Sequence, residues 1–439
     1  MKALALTLIL LAPTADPQTV GGAAIEDPDL ARSVRRIGEE LAQARGEGFD
    51  RPPRAVRSPA VLTDIAVEAR AYRTVGPSRL EARGRAWNDV GLGGPVSPQL
   101  LWLALARDLP GIDLDVDGAR LLVSPTRLTD DDYGVTSDER LYVPDGEGTV
   151  HELRPEGAGT DVADDAGDFL LATGVRPDEP LLAHYLMHLR QLERHGEDSI
   201  RETTDGLLAA AAWSEGEANL VSLYFLFKGV GLARTVLTGP VGPADFLDGQ
   251  LIPDVVEESS PMDASLLRFV YEDGYDFAIE RFRAQGWNVF LGPGPSSTAD
   301  LLNPDPSRAA VRWPDPTPPG EGLVAVDTDS LGAQATLSLI SIWTGRSQDG
   351  LNAARNWVGD RLIRWERAPD DGVTVWETRW RTEAAATGFA AAFEKVVRRR
   401  DPRTVEEEGA LSSKFRRFRI DRDGASVRIE VRAVGGSGG

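Results

Sequence analysis

Cysteine is absent from the chain, which excludes disulfides, thiolate metal sites and cysteine nucleophiles. Lysine is nearly absent: Lys2, Lys228, Lys395 and Lys414 are all there are, and arginine supplies the remaining positive charge. Positive charge is itself in deficit, with 48 Lys and Arg against 69 Asp and Glu and a formal net charge of −21 over 439 residues. A surface of that sign repels phosphate backbones and anionic headgroups, so nucleic acid is excluded as a partner. No apolar run reaches the roughly 20 residues that an integral membrane span needs. Only four histidines occur, His151, His184, His188 and His195, so any imidazole chemistry rests on them.

What remains is ample for a folded protein. The hydrophobic fraction is 41% and there are ten Trp, which argues against disorder, and the length calls for more than one core. Residues 1–15 open with Lys2 and an apolar run from Ala3 to Ala12, the pattern of a secretory signal peptide; it places the protein outside the cytoplasm, secreted or periplasmic. Residues 16–119 read as an N-terminal helical region, 120–310 as the core that carries the chemistry, 323–434 as a C-terminal α+β region and 435–439 as a flexible Gly-rich tail. The fold class expected is α+β and mainly helical, with a small upstream β region and C-terminal hairpins.

Helical spacing of apolar residues predicts helices over 28–48, 63–72, 99–106, 180–194, 205–228, 263–285, 330–346 and 383–399. Short strands are expected at 120–123 and 140–143, with a loop over 144–168. Residues 229–262 read as irregular, and 303–322 as a Pro-rich connection. Hairpins are expected across Asp371-Gly372 and Asp423-Gly424, favoured turn pairs.

His184 and His188 stand four apart in Ala183-His184-Tyr185-Leu186-Met187-His188-Leu189. On a helix they share a face one turn apart, close enough to reach one metal ion. The candidate third ligand is Glu215 in Trp213-Ser214-Glu215-Gly216-Glu217-Ala218, a carboxylate among small residues on the next helix. His195 continues the helix but reads as a solvent histidine. His151 opens His151-Glu152-Leu153-Arg154-Pro155, which imitates a zinc motif in a loop, with Pro155 where a second ligand would stand.

Leu182-Ala183-His184-Tyr185-Leu186-Met187-His188 and Ser214-Glu215-Gly216-Glu217-Ala218 resemble the zinc-binding blocks of secreted bacterial and archaeal zinc-metallopeptidase-like proteins, of the gluzincin type. Asp132-Tyr133-Gly134 with Leu141-Tyr142-Val143, Phe269 to Phe277, Gln285-Gly286-Trp287-Asn288, Ser296 to Pro304 and Asn356 to Arg361 are similar to further blocks of that family, in order. The resemblance implies a zincin-like helical core with His184, His188 and Glu215 as zinc ligands. Tyr185 then stands where the family has its general-base glutamate, and Ala299 and Asn303 stand where a later block has Glu and His, with Asn303 on the substrate cleft.

A phenol, with an ordinary pKa of about 10, is a poor proton acceptor at neutral pH, and loss of a positioned base costs about 10²–10⁴-fold. The expectation is therefore a zinc-capable, proteolytically silent pseudo-enzyme that binds or scaffolds a peptide or protein ligand. Two alternatives stay open: a working zinc hydrolase with another base, Glu217 or Glu193, and a metal-free structural protein in which both histidines are core residues. Oligomeric state is not legible in the sequence.

Overall fold

The computed structural model describes residues 28–57, 72, 74–107, 112–115, 118–123, 141–144, 150–153, 178–195, 201–229, 231–239, 260–304 and 311–434. The leader segment, most of the helix expected over 63–72 and the Gly-rich tail lie outside the described residues. The architecture is α+β.

The helical part comprises α1 (Pro28–Arg45), α2 (Pro77–Val90), α3 (Ser97–Arg107), α4 (Asp178–His195), α5 (Thr204–Lys228), α6 (Ala233–Thr238), α7 (Pro261–Arg268), α8 (Gly274–Gln285) and the short α9 (Thr298–Leu302). A π-helical turn, Phe269–Asp273, joins α7 to α8 without a break. Within this part, β1 (Ala55–Arg57), β2 (Ile112–Asp115) and β3 (Gly118–Val123) form a sheet of order β1-β3-β2, and β4 (Leu141–Pro144) pairs with β5 (Val150–Leu153). The strand β5 corrects the loop expected over 144–168: His151 is a strand residue opposite Val143. Residues 229–262 are likewise not wholly irregular, since α6 lies among them.

α5 is the spine. Thr203 caps its start by accepting from the Gly206 N–H, and its apolar residues point in all directions into three separate cores. Leu207, Leu208, Ala209 and Ala212 join the main core with α2, α3, α7 and the C-terminal sheet. Ala218, Val221 and Phe225 meet Leu30, Val34, Ile37 and Leu41 of α1 and Leu182, Leu186 and Leu189 of α4. Leu220, Leu223 and Phe227 meet Tyr275, Ala278 and Ile279 of α8. A helix apolar all round is a buried helix, and that burial fixes where Glu215 stands.

The C-terminal part is a seven-stranded antiparallel sheet of order β6-β7-β8-β12-β11-β10-β9. Its strands are β6 (Val324–Asp329), β7 (Trp357–Ala368), β8 (Asp371–Trp380), β9 (Val405–Glu407), β10 (Ala410–Ser412), β11 (Arg416–Asp423) and β12 (Ser426–Ala433). Helices α10 (Gly332–Thr344), α11 (Ser347–Asn356) and α12 (Glu383–Arg400) accompany it. Phe389 and Phe393 of α12 pack on Trp376, Trp380 and Phe418 of the sheet, with the Trp376 and Phe389 rings edge to face at 5.3 Å. Both expected hairpins exist with shifted turns. Ala368 pairs with Asp371, so Pro369-Asp370 makes the first turn, and Gly372 lies in the strand, where a Cβ would meet the Arg364 guanidinium at 2.5 Å. Asp423 pairs with Ser426, leaving Gly424-Ala425 as the second turn; Gly424 has φ +53°, a conformation glycine adopts without strain.

Candidate metal centre

α4 and α5 pack side by side, and where they meet the structure brings His184, His188 and Glu215 together. His188 Nε2 lies 3.0 Å from His184 Nε2 and 3.2 Å from one Glu215 carboxylate oxygen; His184 Nε2 lies 3.4 Å from the other. His188 and Glu215 are buried and His184 is partly so. A small-residue crossing sets this registry. A Cβ on Gly216 would stand 2.5 Å from the Gly274 carbonyl oxygen and 2.6 Å from the Ala278 side chain, and a Cβ on Gly274 would stand 2.5 Å from the Ala212 carbonyl oxygen. α5 thus lies backbone to backbone on the start of α8, and the carboxylate next to Gly216 faces α4.

The arrangement has a defined tautomer. Gln191 Nε2 donates to the Ser214 carbonyl at 2.9 Å and to the Glu217 carboxylate at 2.8 Å. Both partners only accept, so the amide nitrogen must face them and Gln191 Oε1 must face His188 Nδ1, 2.9 Å away. Nδ1 therefore carries a proton and donates, which leaves Nε2 as the nitrogen that faces the second imidazole and the carboxylate. Burial opposes charge on Glu215, but the two histidines outweigh it and hold its carboxyl well below the usual carboxylate range. Three electron-rich atoms converging in a buried space call for a cation or a shared proton.

The three donors could hold one metal ion. Bonds of about 2.0–2.1 Å from nitrogen and oxygen give ligand-to-ligand separations of roughly 3.3 Å, and the three observed separations bracket that value. Two imidazoles and a carboxylate are zinc-type donors, and an acceptor behind the second ring nitrogen is the usual support for a ligating histidine.

The other residues singled out in the sequence lie elsewhere. Tyr185 is half-buried against the α1–α4–α5 core, its ring edge to face with His184 at 5.7 Å. Glu217 is buried away from the three donors and ion-pairs with Arg45 of α1 and Arg194 of α4, the latter at 3.3 Å. Glu193 pairs with Arg190 at 3.1 Å, and burial raises its carboxyl above the usual range. His195 is exposed at the end of α4. Ala299 is buried in the main core. Asn303 caps α9 and donates to the Arg355 carbonyl of α11 at 3.2 Å. α9 itself is anchored at Asp205, which accepts from Thr298 N at 2.8 Å. Asp205 lies ten residues before Glu215, roughly 15 Å along the helix.

The supporting shell was not foreseen. Gln191 is a buried polar residue one turn after His188, and Glu217 repeats the acid two after Glu215; two polar residues kept in the interior of paired helices are the signal that could have found them.

A family model described as a domain of unknown function (DUF8575) matches residues 323–435. That segment is the seven-stranded sheet with α10, α11 and α12, and it does not include the three donors. No curated protein and no solved structure matches the chain.

Proposed function

We propose that His184, His188 and Glu215 hold a zinc ion, and that the chain is a metallopeptidase-like protein that has lost proteolysis and binds a peptide or protein ligand. The observation that carries this reading is the convergence of His184 Nε2, His188 Nε2 and the Glu215 carboxylate, with separations of 3.0, 3.2 and 3.4 Å, in a largely buried space behind which Gln191 receives His188 Nδ1.

When bound, zinc would supply a Lewis-acid charge able to polarise a carbonyl. Peptide hydrolysis also needs a group that takes a proton from water and returns it to the leaving amine. Tyr185 follows the first histidine, where the resembled family has its glutamate, and offers a phenol instead. Glu217 is held by Arg45 and Arg194 and accepts from Gln191, so its lone pairs are committed. Glu193 is committed to Arg190 and to the Asp50 N–H. Neither alternative base faces the three donors. The signal-like N-terminus fits a role outside the cytoplasm, and no helix among the described residues is long and apolar enough to cross a membrane.

Elemental analysis of purified full-length protein tests the reading. One zinc per chain, lost in His188→Ala and absent after dialysis against chelator, is the expected result. A wild-type chain that takes up no zinc at micromolar concentrations would sink it.

A further inference from the structure

The buried polar residues behind His188 form a continuous chain that ends on a helix far away in sequence. His188 Nδ1 donates to Gln191; Gln191 donates to Glu217 and to the Ser214 carbonyl. Glu217 pairs with Arg45, the last residue of α1, and with Arg194. Arg45 is buried, its guanidinium 4.9 Å from the centre of the Trp287 ring. Glu47, two residues on, receives Arg190 and Arg194 of α4 at 2.8 Å each. Its burial disfavours the charge, yet Arg194, Arg190 and Arg45 hold its carboxyl below the usual range. Further back along α1, Arg36 pairs with Glu179 and Glu40 with Lys228.

We infer that Gln191 and Glu217 are positioning residues for the metal centre, and that Arg45 makes the docking of α1 part of the same unit, so that zinc affinity and α1 docking are thermodynamically coupled. The inference rests on the zinc reading above. Gln191 contributes no electron pair to the centre; it fixes which nitrogen of His188 faces the other two donors. Glu217 fixes which way the Gln191 amide is turned, because a carboxylate at that place accepts only the NH₂ end. Without Arg45, Glu217 would be a buried carboxylate held by Arg194 alone, free to turn away from Gln191. Coupling of this kind is reciprocal: whatever strengthens zinc binding through α1 must be matched by zinc strengthening α1 docking.

The test uses full-length protein, zinc affinity by chelator competition and the visible absorption of the Co²⁺-substituted protein. Gln191→Met keeps the bulk and removes the acceptor and both donors. It is expected to weaken zinc binding by about 10–100-fold and to shift the Co²⁺ bands, with far-UV circular dichroism unchanged. Glu217→Gln and Arg45→Met should weaken binding in the same direction. In the wild type, saturating Zn²⁺ should slow tryptic cleavage within residues 28–50, a readout that needs no variant to fold. Wild-type affinity and an unshifted Co²⁺ spectrum in Gln191→Met would overturn the positioning role. Cleavage of α1 at the same rate with and without bound zinc would overturn the coupling. A wild type that binds neither metal brings down the zinc reading itself, an outcome distinct from both.

Discussion

Gly216 and Gly274 touch through their backbones where α5 crosses the start of α8, and neither has room for a single additional carbon. Gly216→Ala forces the two helices apart next to Glu215. Overpacking of this kind costs about 1–3 kcal/mol, so the thermal midpoint should fall by several degrees. Zinc affinity should fall in the same variant. Calorimetry with and without zinc reads both effects, and an Ala variant as stable as the wild type would contradict the crossing.

Tyr185→Glu restores the residue that the resembled family has after its first histidine. If only the base is missing, the variant should hydrolyse a generic protein substrate such as casein at least about 100-fold faster than the wild type, and the gain should vanish in Tyr185→Glu combined with His184→Ala. A restored glutamate with no gain would mean that the site has drifted in more than its base.

Asp327 and Arg83 form a buried pair, with Arg83 Nε 2.9 Å and Nη2 3.1 Å from the two carboxylate oxygens. Arg83 also lies 3.5 Å from the buried Asp329 carboxylate, so loss of Asp327 leaves it a partner, whereas loss of Arg83 takes the arginine from both acids. Asp327→Ala should therefore lower stability by about 1.5–3 kcal/mol in urea unfolding, and Arg83→Met by more, about 3–5 kcal/mol. An Arg83→Met cost no larger than that of Asp327→Ala would show that the arginine does not serve both carboxylates.

Asp360 carries a pH dependence with a definite sign. Burial pushes its carboxyl up to about 7, against the pull of the Ser330 hydroxyl, the Trp376 indole N–H and the Gly332 N–H, with Asp205 adding repulsion. Asp205 is itself raised to about 6, chiefly by burial. Raised carboxyls bind their protons more tightly folded than unfolded. Their stabilising contribution is complete below the unfolded value near 4 and is lost as pH rises through 6 and 7. For Asp360 the slope in that window is at most about 1.4 kcal/mol per pH unit. Asp360→Asn should remove part of the wild type's loss of stability between pH 4.5 and 7.5, measured by chemical denaturation. Parallel profiles for the two proteins would contradict the assignment.

The histidine pair and its glutamate were legible because both sit on long, unbroken helices: 180–194 and 205–228 were read within two residues of α4 and α5, and helical spacing did the rest. α2 escaped notice because its inward face carries Arg83 and Asp89 among Leu80, Trp87 and Val90. A buried salt-bridging residue interrupts the apolar pattern that reveals a helix, and its partners Asp327 and Arg364 lie more than 240 residues away. β5 is four residues among Gly and acidic residues, too short to show alternation. The turn at Pro369-Asp370 was displaced by the stronger Asp-Gly signal next to it, since Gly372 serves the close approach of Arg364 rather than the bend. Gln191 and Glu217 could be seen as polar residues on helices; that they face inward depends on the partner helix and on Arg45, which no local pattern contains.

α5 begins on the C-terminal part of the chain. Thr204 donates to Asp329 through its N–H at 2.7 Å and its hydroxyl at 2.6 Å, and the Asp205 N–H donates to the Ser330 carbonyl at 2.8 Å. The recognised unit of residues 323–435 therefore shares its first strand with the helix that carries Glu215. In evolutionary terms this unit is a poor candidate for shuffling on its own. Transplanted into another protein, it would arrive with Asp327 and Asp329 facing an empty seam, and the new host would have to furnish both an arginine like Arg83 and a helix start like Thr204. Inheritance of the sheet and the histidine-bearing helices as one block is the arrangement this seam favours.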